Sequence, residues 1–255
     1  MSRVALVQAL SRTALALPPV KGLGLILEYA SRAFSGWDID VPTRLFGSKV
    51  YGNPSVTDRR RMLFTARYHD QLERDFVESV LRPGDYAIDV GANIGLYTLL
   101  FARLVGPSGK VTAIEAEPTN FADLNRNLAL NGYANVTAHH KGAAPTRGTL
   151  KLHLNDVNLG MHSFVIDQGS GDVEVDCFPL TELVEPIAPR LLKIDIEGFE
   201  YPVLAQYFSN AALLPDYILL EDWPEARLGD VPQLCLDHGY EKILEYTPNL
   251  IFRRR

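Results

Sequence analysis

Residues 86–101 read YAIDVGANIGLYTLLF, which is an apolar run, a turn that contains two glycines, and a second apolar run. The first run is short and ends at the turn, as a buried strand does. The second run continues through ARLVG and ends on a glycine, which is typical of a helix. The stretch therefore predicts a strand that passes through a glycine turn directly into a helix.

The chain after residue 68 repeats this alternation of strand and helix. KVTAIEA predicts the next strand, and PTNFADLNRNLALNG predicts a helix that begins at a proline and ends at Asn-Gly, the usual asymmetry of helix ends. Later strands are predicted near 135–140, 191–195 and 217–221, a helix near 199–208, and, after another helix, the closing strands YEKILEY and NLIFRR. Such alternation favours right-handed crossovers and a mostly parallel sheet with helices on both faces.

The interval 145–180 departs from this rhythm. TLKLHL and DVEVDCF alternate polar and apolar residues, as exposed strands do, and a polar loop separates them. We expect an inserted β-hairpin beside the ligand crevice of the sheet.

The length of 255 residues fits one large α/β domain with an N-terminal extension. We divide the chain into an accessory segment at 1–67 and a domain at 68–255, and most of the segment looks irregular. Its start predicts an amphipathic helix, because apolar side chains follow helical spacing at Val4, Val7, Leu10, Ala14 and Leu17. Charges and prolines interrupt the segment before it reaches the length of a membrane span. We expect this helical extension either to pack on the domain or to contact a membrane surface or another protein.

Charge and cysteine content exclude several classes of protein. A net charge of −6 argues against a nucleic-acid partner, because phosphate contacts need a basic surface. The only two cysteines, Cys177 and Cys235, form no CxxC pattern, so a disulfide scaffold and a zinc knuckle are disfavoured. A reducing, cytoplasmic location fits best.

The glycine turn and the end of the next strand predict a ligand site. Ligands of open α/β sheets bind at the carboxyl ends of the strands, and Gly91 and Gly95 permit backbone conformations that other residues avoid. The turn is not the dinucleotide pattern GxGxxG, because Asn93 stands where the second glycine would be. Glu115 ends the next strand, where a carboxylate accepts hydrogen bonds from ribose hydroxyls. Together these features favour an adenosine-type ligand.

Several separated motifs resemble those of one enzyme family. DVGANIGLYT, IEAEP, LLKIDIEGFEYPVL and YILLE, in this order, are similar to the FkbM family of class I methyltransferases, over about residues 68–252. The resemblance implies a Rossmann-like, seven-stranded, mostly parallel sheet with an antiparallel last strand. It also implies S-adenosylmethionine as methyl donor and a hydroxyl acceptor on a small molecule, a sugar, a glycan or a natural product.

The resemblance also implies roles for residues around the cofactor. The turn residues would surround its methionine end, Glu115 would hold the ribose, and Tyr97 would cover the cofactor from the following helix. These turn residues are Asp89, Gly91, Ala92, Asn93 and Gly95. The stretch 141–144 would lie under the adenine, which makes Ala143 a candidate, although KGAAP lacks the acid that many class I enzymes carry there. Tyr68 and His69 are further candidates for the methionine end.

The stretch LLKIDIEGFE at 191–200 carries the candidate catalytic groups. A neutral hydroxyl is a poor nucleophile, so a carboxylate or a histidine is needed to take its proton. Asp195 is predicted to contact sulfonium and acceptor, and Glu197 to position the acceptor or act as base, since both project to the same side if the strand continues. Glu221 would complete an acidic rim, and His162, on the inserted loop, is an alternative base. We assign no metal site, although three converging carboxylates could equally hold a divalent cation.

Structural and functional alternatives accompany these assignments. Glu197 and Glu200 would equally suit the start of a helix, where acids interact favourably with the dipole, and Lys193 is expected to pair with a neighbouring acid. A nicotinamide-dependent oxidoreductase is a second candidate function, disfavoured by the missing glycine. A catalytically silent module that binds a cofactor or other proteins is a third. Calorimetric titration with S-adenosylmethionine and NAD distinguishes the first two.

Overall fold

The computed structural model describes residues 2–17, 23–65, 71–155, 160–167, 169–223, 228–246 and 248–255. The chain forms two compact units, at 1–79 and 80–255. The units divide near the end of the helix Gln71–Val80, so most of this helix falls in the first unit, whereas the sequence interpretation placed it in the second.

The first unit contains more regular structure than its sequence indicated. Its elements are α1 (Arg3–Ala16), α2 (Leu23–Ser31), a 3₁₀ helix (Arg32–Phe34), β1 (Val41–Leu45), β2 (Ser48–Gly52), α3 (Thr57–Phe64) and α4 (Gln71–Val80). The predicted N-terminal helix is confirmed, but its buried face was partly wrong. Leu10 is 39% exposed and Ser11 is fully buried, because the Ser11 hydroxyl donates to the carbonyl of Leu63.

The second unit begins with the predicted strand, turn and helix. Its elements are β3 (Tyr86–Val90), α5 (Leu96–Val105), β4 (Lys110–Glu115), α6 (Pro118–Asn131), β5 (Val136–His140), β6 (Gly142–Ala143), β7 (Gly148–His153), β8 (Asp172–Phe178), α7 (Leu180–Leu183), β9 (Leu191–Ile194), α8 (Glu200–Asn210), β10 (Tyr217–Glu221), α9 (Val231–Asp237), β11 (Tyr240–Tyr246) and β12 (Asn249–Arg254). Helices α5 and α6 contact β3, β4 and β5, and α9 contacts β11.

Seven strands form the main sheet in the order β11-β12-β10-β9-β3-β4-β5. β3 pairs in parallel with both β4 and β9, and the last strand, β12, is antiparallel to its two neighbours. The Rossmann-like sheet with an antiparallel last strand is thus confirmed. The strand order reverses around β3, so the carboxyl ends of β3, β4 and β9 lie beside one another at the switch point, where ligands bind in such sheets.

The predicted inserted hairpin is also present. β7 and β8 pair antiparallel from Gly148 to His153, and the short strand β6 joins β8 to complete a separate three-stranded sheet. Within the described ranges, every helix is too short or too polar to cross a bilayer.

Candidate functional site

The glycine turn after β3 is shaped by close approaches of the protein itself. Gly91 has φ +78, and a Cβ there would lie 1.8 Å from the carbonyl oxygen of Asp195. Gly95 has φ +92, and its Cβ would lie 2.5 Å from Leu124 Cδ1. Asn93 is left-handed as well, with φ 50. Both glycines are therefore required by the fold, and their contact with a cofactor stays a prediction.

Glu115 lies against the glycine turn, as expected of the acid at the end of the second strand. Its Oε2 accepts a hydrogen bond of 2.6 Å from the backbone N–H of Asn93, and its Oε1 accepts one of 2.8 Å from Glu117. Burial raises the pKa of this carboxyl from 4.5 to about 7, against the effect of both N–H donors. Each oxygen keeps a second lone pair for a ligand hydroxyl.

Asp89 is buried in β3 with one oxygen that lacks a donor. The Thr98 hydroxyl donates to Oδ2 at 2.6 Å, whereas Oδ1 has no hydrogen-bond partner within the described part of the chain. Burial is also the main reason why the pKa of Asp89 is raised. Since buried acceptors are normally paired, a donor from a bound molecule would satisfy this oxygen.

The remaining predicted cofactor residues surround the same edge of the sheet. Ala92 is buried, and its N–H donates to the carbonyl of Ile114. The ring of Tyr97, on α5, lies 5.1 Å from the Lys193 ammonium. Ala143 is buried in β6 after β5. Tyr68 and His69 lie outside the described residues.

Asp195 and Glu197 converge, but not for the reason that the sequence suggested. β9 ends at Ile194, and Glu197 turns the chain with φ 53, so strand alternation does not continue through them. The turn nevertheless brings carboxylate oxygens of Asp195, Glu197 and Glu221 within 4.8 Å of one another. The predicted acidic rim is therefore present.

Lys193 supplies the positive charge of this cluster. Its Nζ lies 3.1 Å from Asp195 Oδ2 and is almost fully buried. Burial opposes its charge, but the Asp195 and Asp89 carboxylates together raise the pKa of Lys193. Burial likewise opposes ionisation of Asp195, yet the Lys193 ammonium and hydrogen bonds with Glu221 and Lys193 lower the pKa of Asp195. The expected pairing of Lys193 with a neighbouring acid is confirmed, and the ion pair keeps Asp195 negative.

Within the part of the chain that the structure describes, Glu197 and Glu221 form no ion pair like that of Asp195, and the pKa values of both are raised. Burial and the nearby charges of Asp195 and Glu200 raise the pKa of Glu197 from 4.5 to about 8. Burial and Asp195 raise the pKa of Glu221 from 4.5 to about 9, and the two side chains share a hydrogen bond. At neutral pH the cluster is therefore one anion, Asp195, between an ammonium group and two carboxyl groups that carry protons. The oxygens of the three carboxylates also lie close enough together to hold a metal ion, the alternative that the sequence leaves open.

Two side chains form hydrogen bonds to the backbone of the loop after β9, and neither contact was predicted from the sequence. Glu200, the first residue of α8, accepts hydrogen bonds from the N–H groups of Ile196 and Gly198 at 2.8 and 3.0 Å. The buried hydroxyl of Ser163, in the β7–β8 insertion, donates to the carbonyl of Glu197 at 2.8 Å. The insertion therefore contacts the candidate catalytic loop directly.

His162 precedes Ser163, and its imidazole already forms a hydrogen bond within the insertion. Its Nδ1 accepts a hydrogen bond of 3.0 Å from the N–H of Asn155. The neutral ring then carries its proton on Nε2, so neither nitrogen is free to receive another. The geometry favours a role in holding the insertion, and a role as base stays a prediction.

The arrangement fits the expected methyl donor, which combines a nucleoside with two cationic groups. Glu115, at the end of β4, can accept hydrogen bonds from the ribose hydroxyls. Asp89 in β3 and Asp195 after β9 can supply the negative charge that the cationic groups require. The Asp89 oxygen without a donor is the feature that best matches a bound cationic group.

Comparison with known proteins agrees with this geometry. The family described as "Methyltransferase FkbM domain" matches residues 89–242. The 31-O-demethyl-FK506 methyltransferase FkbM of Streptomyces tacrolimicus is 29% identical over 214 residues, which is 66% of this chain and 77% of that protein. Methyltransferase sdnD of Sordaria araneosa is 27% identical over 191 residues, which is 61% of this chain and 73% of that protein. A solved FkbM methyltransferase of Methylobacillus flagellatus KT aligns with a TM-score of 0.45 and 18% identity, covering 76% of this chain and 54% of that one.

Proposed function

The chain belongs to the FkbM family of methyltransferases, and on this premise we propose that it methylates a hydroxyl oxygen of a sugar, a glycan or a natural product. S-adenosylmethionine is the methyl donor. One observation carries the choice of oxygen: the carboxyl group of Glu197, whose pKa is raised to about 8, lies within 4.8 Å of the Asp195 carboxylate at the switch point of the sheet. A neutral hydroxyl needs such a base, because it is a poor nucleophile until its proton is removed.

Asp195 and Glu197 have different roles in this proposal, because their pKa values are shifted in opposite directions. The bound cofactor supplies an electrophilic methyl group on a cationic sulfur. Asp195, held negative by Lys193, would bind the cationic end of this donor by charge attraction and so orient it. Glu197 in its ionised form accepts the hydroxyl proton on a carboxylate oxygen, and with a pKa of about 8 a fair fraction of it is ionised at slightly alkaline pH. Glu200 and Ser163 fix the loop that aims Glu197 at the acceptor.

Other methyl acceptors fit this site less well. Enzymes that methylate amino groups of bases usually carry an Asn/Asp-Pro-Pro-aromatic turn after the fourth strand, and this chain has Asp195-Ile196-Glu197-Gly198 there. The Streptomyces relative is named for methylation of an oxygen, position 31-O of its substrate. Membership of the family also disfavours the nicotinamide-dependent oxidoreductase.

The test combines binding with turnover. Calorimetric titration of the protein with S-adenosylhomocysteine and with NAD is expected to show binding of the first only. Transfer of labelled methyl from S-adenosylmethionine to a panel of sugars, glycans and natural products is then measured for the wild type, for Glu197→Gln, and for Glu241→Gln on the edge strand β11. We expect Glu197→Gln to lower the rate by about 10²- to 10⁴-fold and to keep cofactor binding, and Glu241→Gln to change neither.

Two results would contradict the proposal. Labelling of amines or carbon atoms, with no labelling of hydroxyls, would assign another acceptor. Cofactor binding without transfer to any acceptor would favour the catalytically silent module. For the location we propose a reducing, cytoplasmic compartment, supported by Cys177 and Cys235, which are both buried and free of disulfides.

A further inference from the structure

The first 67 residues differ in charge from the rest of the chain. They contain ten Lys and Arg residues against four Asp and Glu, a formal charge of +6, whereas residues 68–255 carry 15 against 27, a charge of −12. Such asymmetry indicates an interaction with an anionic partner that the average composition conceals. Residues 68–79 add one basic and four acidic residues, so the first unit at 1–79 still carries a formal charge of +3. The net charge of the whole protein therefore says little about the ligands of its first unit.

Part of this positive charge converges on a single groove of the first unit. The groove has a volume of about 610 Å³ and lies between α1 and the β1–β2 hairpin. The described residues that line it include three cations, Arg12, Arg44 and Lys49, and no carboxylate. Gln8 and Thr43 add polar groups to the lining.

Two of the cations face each other across the hairpin. Arg44 and Lys49 are direct partners in the β1–β2 register, and both are exposed. Like charges at opposed positions of an antiparallel pair destabilise it, and Arg12 of α1 adds a third positive charge to the same groove. A bound anion would interact favourably with all three cations.

The walls of the groove are fixed by hydrogen bonds between α1 and the strand. Gln8 Nε2 donates to the carbonyl of Pro42 at 2.8 Å, and the hydroxyls of Ser11 and Thr43 lie 3.2 Å apart. Ser11 is fully buried and also bonds to the carbonyl of Leu63 at 2.6 Å. Because these hydrogen bonds already fix the backbone around the groove, binding of an anion would require ordering of only the cationic side chains.

We propose that this groove is a binding site for the phosphate group of an anionic ligand. Arginine suits phosphate because its planar guanidinium donates two parallel hydrogen bonds, and lysine adds a compact charge. The phosphate comes either from the headgroup of an acidic phospholipid or from a soluble phosphorylated compound. Asp195, Glu197 and the residues that hold their loop lie in the second unit, so the proposal does not depend on the proposed reaction.

The test uses the full chain and two probes. Calorimetric titration with inorganic pyrophosphate measures the soluble source, and cosedimentation with vesicles of phosphatidylglycerol and phosphatidylcholine, against vesicles of phosphatidylcholine alone, measures the lipid source. The variants are Arg12→Gln/Arg44→Gln, Arg44→Gln alone, and Arg255→Gln as a control that removes a positive charge from the second unit. Thermal unfolding verifies that each variant is folded.

We expect at least one probe to bind and binding to weaken with added salt. Arg44→Gln should weaken it by about tenfold or more, and the double variant further, while Arg255→Gln leaves it unchanged. Binding of pyrophosphate alone assigns a soluble ligand, and binding of the acidic vesicles alone assigns a lipid headgroup. Failure of both probes, or equal binding by wild type and Arg44→Gln, overturns the proposal.

Discussion

Lys193 and Asp195 stand two positions apart at the end of β9, and their charged groups lie 3.1 Å from each other inside an otherwise acidic cluster. Burial is the main reason why ionisation of Glu197 and Glu221 is unfavourable, and the negative charge of Asp195 adds to it, whereas the ammonium of Lys193 keeps Asp195 ionised. Asp195 differs from the two glutamates by its ion pair with Lys193, which offsets the effect of burial.

Removal of this lysine charge is expected to destabilise the protein in a pH-dependent way. Lys193→Met leaves Asp195 without its cation, which costs about 3 kcal/mol of unfolding free energy for a mostly buried pair. The loss should be larger at pH 8 than at pH 5, because protonation of the carboxylates relieves their repulsion at the lower pH. Denaturant unfolding at both pH values measures it, with exposed Lys110→Met as the control. Equal losses at the two pH values would contradict this account.

Glu221 is expected to make the protein less stable as the pH rises. Its pKa is about 9 in the folded protein and 4.5 ordinarily, so the folded state holds the proton more tightly. The stability that this group contributes is fully present below pH 4.5 and is lost as the pH rises to about 9. Gln cannot ionise, so Glu221→Gln should retain more of its stability at alkaline pH.

Thermal unfolding at pH 5 and pH 9 tests the role of Glu221. The melting temperature of Glu221→Gln should fall less between the two pH values than that of the wild type. The control is Glu174→Gln on the exposed face of β8, which should follow the wild type. If the melting temperature of Glu221→Gln falls as steeply between pH 5 and pH 9 as that of the wild type, another group causes the pH dependence.

Glu197 is expected to set the pH dependence of methyl transfer. If it accepts the proton, kcat/KM should rise with pH and level off above about 8, where the carboxyl group is ionised. Glu197→Gln should abolish this rise together with most of the activity, while the affinity for S-adenosylhomocysteine stays within a small factor. A pH profile that keeps its shape in the variant would assign the base elsewhere.

Ser163 is expected to act on the reaction through the loop that carries Glu197. Its hydroxyl donates to the Glu197 carbonyl and accepts from the N–H groups of Val165 and Ile166. Ser163→Ala leaves these partly buried groups without this partner, at a cost of about 1 kcal/mol. Activity should fall at unchanged cofactor affinity, and the exposed control Ser209→Ala should match the wild type. Equal activity of the two variants would show that the contact does not position Glu197.

Local periodicity explains why most of the second unit could be predicted from sequence. The β3 strand, its turn and α5 are contiguous, so burial and glycine positions indicate them directly. The β1–β2 hairpin was missed because Pro42 argues against a strand and because its turn is Phe46-Gly47, with Phe46 at φ 49, rather than a usual Asn-Gly.

The site was predicted where its residues end strands and missed where distant side chains meet its backbone. Asp89, Glu115 and Asp195 follow from strand ends in a parallel sheet. Ser163 does not, because it is 34 residues from its partner Glu197 and no local pattern marks such a pair. The difference in protonation between Asp195 and Glu197 depends on the packing around Lys193, which spacing alone does not contain.

The close approach of Gly91 to Asp195 gives the sharpest test of the geometry at the switch point. Gly91→Ala would place a Cβ 1.8 Å from the Asp195 carbonyl oxygen, at φ +78. Gly169 has a similar φ of +74, and no atom of the described residues lies within 4 Å of a Cβ built there, so Gly169→Ala carries the backbone strain without the clash. We expect Gly169→Ala to lose about 1–2 kcal/mol of unfolding free energy, and Gly91→Ala to lose several times more or to fail to fold, because the backbones of two adjacent strands must separate. Denaturant unfolding of the two variants measures the difference, and equal losses would mean that the ends of β3 and β9 do not meet as described.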